Sequence, residues 1–203
     1  YLKAYDYYHF GKWHVEETKL PSDYGAKGHD FGGYGFPGSG LYENFIFDQG
    51  PTGNNPYQKW LEEKGFKVPE VTESYFGENP NLKIQELYAR LDGPAEASIP
   101  FFLVDEAADS LKNRKNRDQP FFMSINFWGP HTPCVLPEPY YSMYDPKKIP
   151  MDPAFEEALK GKPSHYTLIS KMWGVYDLEW AEWQKKRSTE VLYNLCVLMH
   201  HLT

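Results

Sequence analysis

The chain has 203 residues, of which 41% are hydrophobic and 24% charged, with a formal charge of −7. That size and balance read as a soluble globular unit with a substantial core, and no apolar run reaches the roughly 18 residues of a bilayer span. The negative charge argues against nucleic acid as a bulk electrostatic partner, although a few local cations can still hold one anionic group.

Tyr5–Phe10 is rich in β-formers and predicts a short strand ended by Gly11. Lys12 and His14 follow two apart, so on extended backbone they would point the same way. A cation and an imidazole on one face make a small anion site with a proton donor or acceptor, though spacing alone favours an ordinary surface pair. Residues 21–56 read as a long glycine-rich loop. Its Gly33–Gly38 stretch has the letters of a dinucleotide fingerprint, but Pro37 lies inside it and no strand–helix frame surrounds it. His29-Asp30 reads as a loop hydrogen bond rather than a metal or acid–base pair.

Pro56–Lys64 predicts a helix, with proline near its first turn, Gly65 beyond its end and Tyr57, Trp60 and Leu61 as the apolar stripe. Residues 68–81 read as irregular, and 82–91 as either helix or strand. Ser98–Lys115 predicts a longer helix. Ser98 can cap it, Pro100 is harmless in the first turn, and Ile99, Phe102, Leu103, Ala107, Ser110 and Leu111 form a stripe. Lys112, Arg114, Lys115 and Arg117 are expected to complement the helix dipole and face water.

The stretch Gln119–Tyr141 begins as a strand and ends as a proline-stiffened loop. Phe121, Met123, Ile125 and Phe127 would face one side, and Phe122, Ser124 and Asn126 the other. The nearly continuous apolar run predicts cover on both faces. Pro130, Pro133, Pro137 and Pro139 forbid its continuation, which puts His131 just past a carboxyl end, where ligands bind in open α/β sheets. If this strand and the first are parallel in one sheet, Lys12, His14 and His131 converge on one edge. The loop through Pro153 could wall a pocket. Ala154–Lys160 suggests a helical turn. Tyr166–Arg187 has helical composition, with Leu168, Met172, Val175 and Leu178 as a stripe and Trp173, Trp180 and Trp183 as core. Cys134 and Cys196 are too few for a disulfide framework or a cysteine-rich metal site, and one disulfide stays open. Helix, short turn and strand in succession, after the first strand, give an α/β pattern.

Gly11-Lys12-Trp13-His14, with Pro120-Phe121-Phe122 and Gly129-Pro130-His131-Thr132-Pro133, resembles the G-K-W-H and P-F-F…P-H-x-P motifs of the sulfatase family, within the alkaline-phosphatase-like superfamily. The likeness covers about residues 2–187 in family order. It implies an α/β fold: part of an alkaline-phosphatase-like mixed or parallel sheet flanked by helices, and incomplete. It also implies sulfate-ester hydrolysis by a formylglycine nucleophile with a divalent cation, usually Ca2+. By motif position Lys12 would bind formylglycine and sulfate, and His14 would serve as base when sulfate is eliminated. His131 would bind sulfate and help protonate the leaving oxygen. The chain departs from the family pattern too. It has no C-x-P-S-R, no paired aspartates of the N-terminal metal motif, no downstream Asp-Asn pair and no second lysine, and Val15-Glu16 replaces Leu-Gly.

The expectation is therefore an internal fragment of a sulfatase catalytic domain at 1–187, inactive alone and without an assigned metal ligand. A tail of non-native or frame-altered character is expected at 188–203. The expected partner is a sulfate-ester small molecule or a sulfated glycan, and exposed sheet edges are expected to favour self-association. The resemblance favours a periplasmic or secreted location. Two other readings stand beside it: a phosphodiesterase or phosphonate hydrolase of the same superfamily, and a non-catalytic module that binds sulfated glycans through Lys12, His14, His131 and nearby aromatic rings.

Overall fold

The computed structural model describes residues 4–13, 15, 19–31, 56–76, 86–130, 134–145, 148 and 159–173. Six strands and three α-helices are described: β1 (Asp6–Lys12), β2 (Lys27–Phe31), α1 (Pro56–Lys64), β3 (Glu70–Phe76), β4 (Glu86–Asp92), α2 (Ile99–Lys112), β5 (Phe121–Asn126), β6 (Cys134–Pro137) and α3 (Ser164–Trp173). The architecture is mixed α/β, with parallel and mixed sheets flanked by helices, compatible with part of an alkaline-phosphatase-like fold. Among the described residues no helix is long and apolar enough to cross a membrane.

The first sheet has the order β2-β1-β5 and is parallel throughout. Asp6 pairs with Phe121 and Gly11 with Asn126, so the carboxyl ends of β1 and β5 lie side by side. Tyr8 and Phe10 of β1, opposite Met123 and Ile125 of β5, face a core completed by α1 and α2. The α1 stripe is the predicted one: Tyr57, Trp60 and Leu61 are buried. On α2 the buried face is broader, because Phe101 and Val104 join Phe102, Leu103 and Ala107. Full burial of one such large side chain contributes about 1.5–3 kcal/mol. Ser98 stands at the N-cap position of α2 with extended backbone, but its side chain makes no capping hydrogen bond.

The second sheet has the order β3-β4-β6, antiparallel then parallel. Leu136 of β6 enters the main core, whereas Val135 joins Ala89, Leu91 and Val71 in a smaller cluster. The period of two along a strand divides neighbouring residues between these layers.

Several expectations need correction. Gly11 does not end the first strand, which runs on to Lys12. Gly11 has φ +100°, and a Cβ there would sit 2.1 Å from the Asn126 carbonyl oxygen, so only glycine lets the strands approach this closely. The segment read as loop from residue 21 contains a 3-10 turn at Pro21–Tyr24 and then β2, which the parallel partner β1 stabilises despite its polar composition. Residues 32–55 lie outside the described residues. The stretch read as irregular holds β3. Its alternation is broken where the register shifts between Thr72 and Tyr75 and where Glu73 takes φ 51°, as a β-bulge does. The undecided 82–91 stretch is strand from Glu86.

The strand after α2 is not covered on both faces. β5 is the outer strand of its sheet among the described residues, and Phe121 and Phe122 are 43% and 47% exposed. The proline-rich loop contains β6, buried at all four positions, with Pro137 at its end where a missing N–H is tolerated. Arg114 is not a solvated charge. Its side chain is 8% exposed, lies 3.7 Å from Asp6 Oδ2 and packs its guanidinium over the Phe121 ring. Leu168 on α3 is 58% exposed and so not core. Residues 151–158 and 174–203 lie outside the described residues. With them go most of the suggested turn, the rest of the last helix, Cys196 and the proposed tail.

Candidate functional site

The parallel register puts the carboxyl end of β1 beside that of β5, and Lys12 closes β1. Its main chain is fixed from the neighbouring strand: Asn126 Nδ2 donates to the Lys12 carbonyl at 3.1 Å. Asn126 is oriented in turn by Ser124, whose Oγ donates to Asn126 Oδ1 at 2.9 Å. Past the end of β5, Trp128 turns its indole to the Lys12 ammonium, with Nζ 4.3 Å from the ring centroid. Partial burial holds the Lys12 pKa below its ordinary value, because a desolvated ammonium is less stable. Among the described residues Lys12 forms no ion pair with a carboxylate.

On the same strand His9 is buried and meets Trp13 edge to face at 5.5 Å. Trp13 donates from Nε1 to the Lys19 carbonyl at 2.9 Å, which folds the chain back after β1. At the amino end of the sheet, Asp6 joins Lys27 at 2.7 Å and lies near Arg114, a structural tie among β1, β2 and the turn into β5.

Of the three predicted site residues, the structure places Lys12. His14 and His131 lie outside the described residues. In sequence His14 follows the end of β1 by two residues and His131 follows the end of β5 by five. Sequence reasoning gave Asn126, Ser124 and Trp128 no role. Ser124 and Asn126 already shared a strand face by period two, and Trp128 continues that alternation, which was the available signal.

The fit to a divalent cation can be examined directly. Among the described residues no group of three or more His, Cys, Asp or Glu side chains gathers as a metal site. Cys134 on β6 is 1% exposed and sits as a small hydrophobe rather than as an accessible nucleophile. The described residues therefore do not themselves fit a calcium–formylglycine centre. A separate open cleft of about 450 Å³ is lined by Phe66, Val68, Pro69, Glu70, Asp92 and Pro94 among others, and none of Lys12, Asn126 or Trp128 lines it.

No protein-family model matches the chain. Over 50 residues it is 44% identical to an uncharacterized protein of Haemophilus influenzae, a stretch that makes up 25% of this chain and 26% of that protein. Over 97 residues it is 31% identical to the multifunctional alkaline phosphatase superfamily protein PehA of Trinickia caryophylli, covering 46% of this chain and 18% of that protein. The chain thus matches only 26% and 18% of the lengths of these two relatives. The second likeness supports the alkaline phosphatase superfamily but no narrower family.

Proposed function

We propose that this chain is part of a sulfuric ester hydrolase and that the ester's anionic group is held beyond the carboxyl ends of β1 and β5. One observation carries this reading. Lys12 is a half-buried cation at that edge, faced by an indole and by no carboxylate among the described residues. In a chain of charge −7, a cation kept clear of internal neutralisation can bind an incoming anion. Lys12 would contact a sulfate oxygen and stabilise the charge that develops there. His131 would bind the same group and give a proton to the departing oxygen, and His14 would exchange a proton near neutral pH. A formylglycine nucleophile and most ligands of a calcium ion, which this reading entails, would come from the longer parent protein, since this sequence has no C-x-P-S-R motif.

A second reading has its own support. The partial likeness to an alkaline phosphatase superfamily protein suits a phosphodiester or phosphonate substrate equally well. Both readings are tested by assaying aryl sulfate and aryl phosphodiester hydrolysis with added calcium. The assay compares this chain with the longest chain its gene encodes, and then with the Lys12→Ala and His131→Ala variants of the longer one. Aryl sulfate turnover by the longer chain, lost in both variants, is the expected result. Turnover of the phosphodiester alone would replace sulfate by phosphate chemistry. Turnover that survives Lys12→Ala would refute the site.

A further inference from the structure

We infer that Trp128 is a positioning residue for this anion site: its indole holds the Lys12 ammonium at the mouth between β1 and β5. The inference rests on the reading of Lys12 as the anion-binding cation. Lysine carries a flexible four-carbon stem, and immobilising it costs more rotamer entropy than immobilising most side chains. The Asn126 hydrogen bond at 3.1 Å fixes only the main chain of Lys12 and leaves the stem free. The indole supplies the missing restraint, because a cation within about 6 Å of a ring centroid is attracted by the negative face of the π-system. At 4.3 Å Lys12 lies well inside that range.

An aromatic face suits this task better than a carboxylate would. A carboxylate would neutralise the ammonium and repel an arriving sulfate. A ring attracts the ammonium while leaving its full charge and its N–H donors for the ligand. Lys12 ends β1 and Trp128 follows the end of β5 by two residues, and β1 and β5 are parallel neighbours, so the restraint also ties the site to the sheet.

The test uses the full chain and inorganic sulfate as the probe. Sulfate affinity is measured by calorimetry for the wild type, Lys12→Met, Trp128→Leu and Trp128→Phe. In parallel, the rate at which the Lys12 amine is acylated is followed against pH by mass spectrometry. Trp128→Leu should weaken sulfate binding about three- to tenfold. It should also move the Lys12 acylation profile to lower pH, since the apolar surroundings persist while the π-face is lost. Trp128→Phe should restore most of both, which a merely structural role would not predict. Binding that is lost in Lys12→Met but unchanged in Trp128→Leu would overturn the role of Trp128 and leave the anion site standing. A wild-type chain that binds no sulfate, or a Lys12→Met chain that binds it as well as wild type, would overturn the anion site and the inference with it.

Discussion

Substituting Gly11 by alanine tests how the site is built. Two costs meet at this position. The first is conformational: φ +100° is adopted by an L-residue only at a cost of roughly 1–2 kcal/mol. The second is steric. The new Cβ would lie 2.1 Å from the Asn126 carbonyl oxygen, where contacts below 3.0 Å essentially never occur, and 3.2 Å from Leu103 Cδ1. The obstructing atom is backbone, so β1 and β5 must part by about an ångström, the gap between those two distances. Forcing extra volume into a packed interior costs typically about 1–3 kcal/mol. The sum is about 2–5 kcal/mol, and for a chain of this size each kcal/mol lowers Tm by about 2–4 °C. Gly11→Ala should therefore melt about 10 °C lower by circular dichroism. The control is Gly25→Ala, with φ +85° and no atom within 4 Å of the new Cβ, which carries the conformational cost alone. It should lose less than half as much. Equal losses at the two positions would refute the close approach of the strands.

Three further outcomes follow from the contacts described. Burial lowers the Lys12 pKa from 10.5, so below its folded-state value the charged amine burdens the fold, and this burden fades as pH rises towards 10.5. Lys12→Met should accordingly melt higher than wild type at pH 7, with the gap narrowing by about pH 10; a lower melting point at pH 7 would contradict this. Asp105 accepts from Trp60 Nε1 at 2.8 Å and pairs with Lys64 at 2.7 Å, linking α2 to α1. In urea titrations Asp105→Ala should cost about 2 kcal/mol, and Lys64→Ala, at an exposed site, under about 1 kcal/mol. Tyr57 donates to the Ala97 carbonyl at 2.6 Å, and burial pushes its phenol pKa up. Tyr57→Phe should cost about 1 kcal/mol at pH 7. The stabilisation from the buried neutral phenol is complete below the unfolded-state value near 10 and is lost above it, so the gap between the two proteins should shrink in alkali.

The parts of this fold that could be read from sequence are those whose stabilisation is local or periodic. Tyr57, Trp60 and Leu61 repeat at helical spacing between Pro56 and Gly65, and α1 has the predicted bounds. The α2 stripe was visible for the same reason, and the run from Phe121 declared a strand by its β-formers. β2 was hidden because Lys27, Gly28 and Asp30 are poor strand residues, and its pairing with β1 decides the matter. β3 was hidden by the irregularity at Glu73, which interrupts the alternation on which strand recognition depends. β6 has four residues and ends in proline, so it looked like the loop around it. At the candidate site, Lys12 was marked by the motif that carries it. Trp128 and Asn126 were not, because their importance lies in contacts made across two strands, which no local pattern encodes.

The Asn126–Lys12 hydrogen bond joins residues 114 apart in the chain, whereas the β3–β4 contact between Thr72 and Arg90 spans 18. Closing the larger loop costs about 1.6 kcal/mol more in chain entropy. Helices and the antiparallel pair can therefore gather before β1 and β5 meet, and the proposed anion site would come into being only with that closure. A chain stalled before it would hold much of its secondary structure and yet bind nothing. Sulfate, by favouring the closed pair, would act on such a chain as a folding ligand.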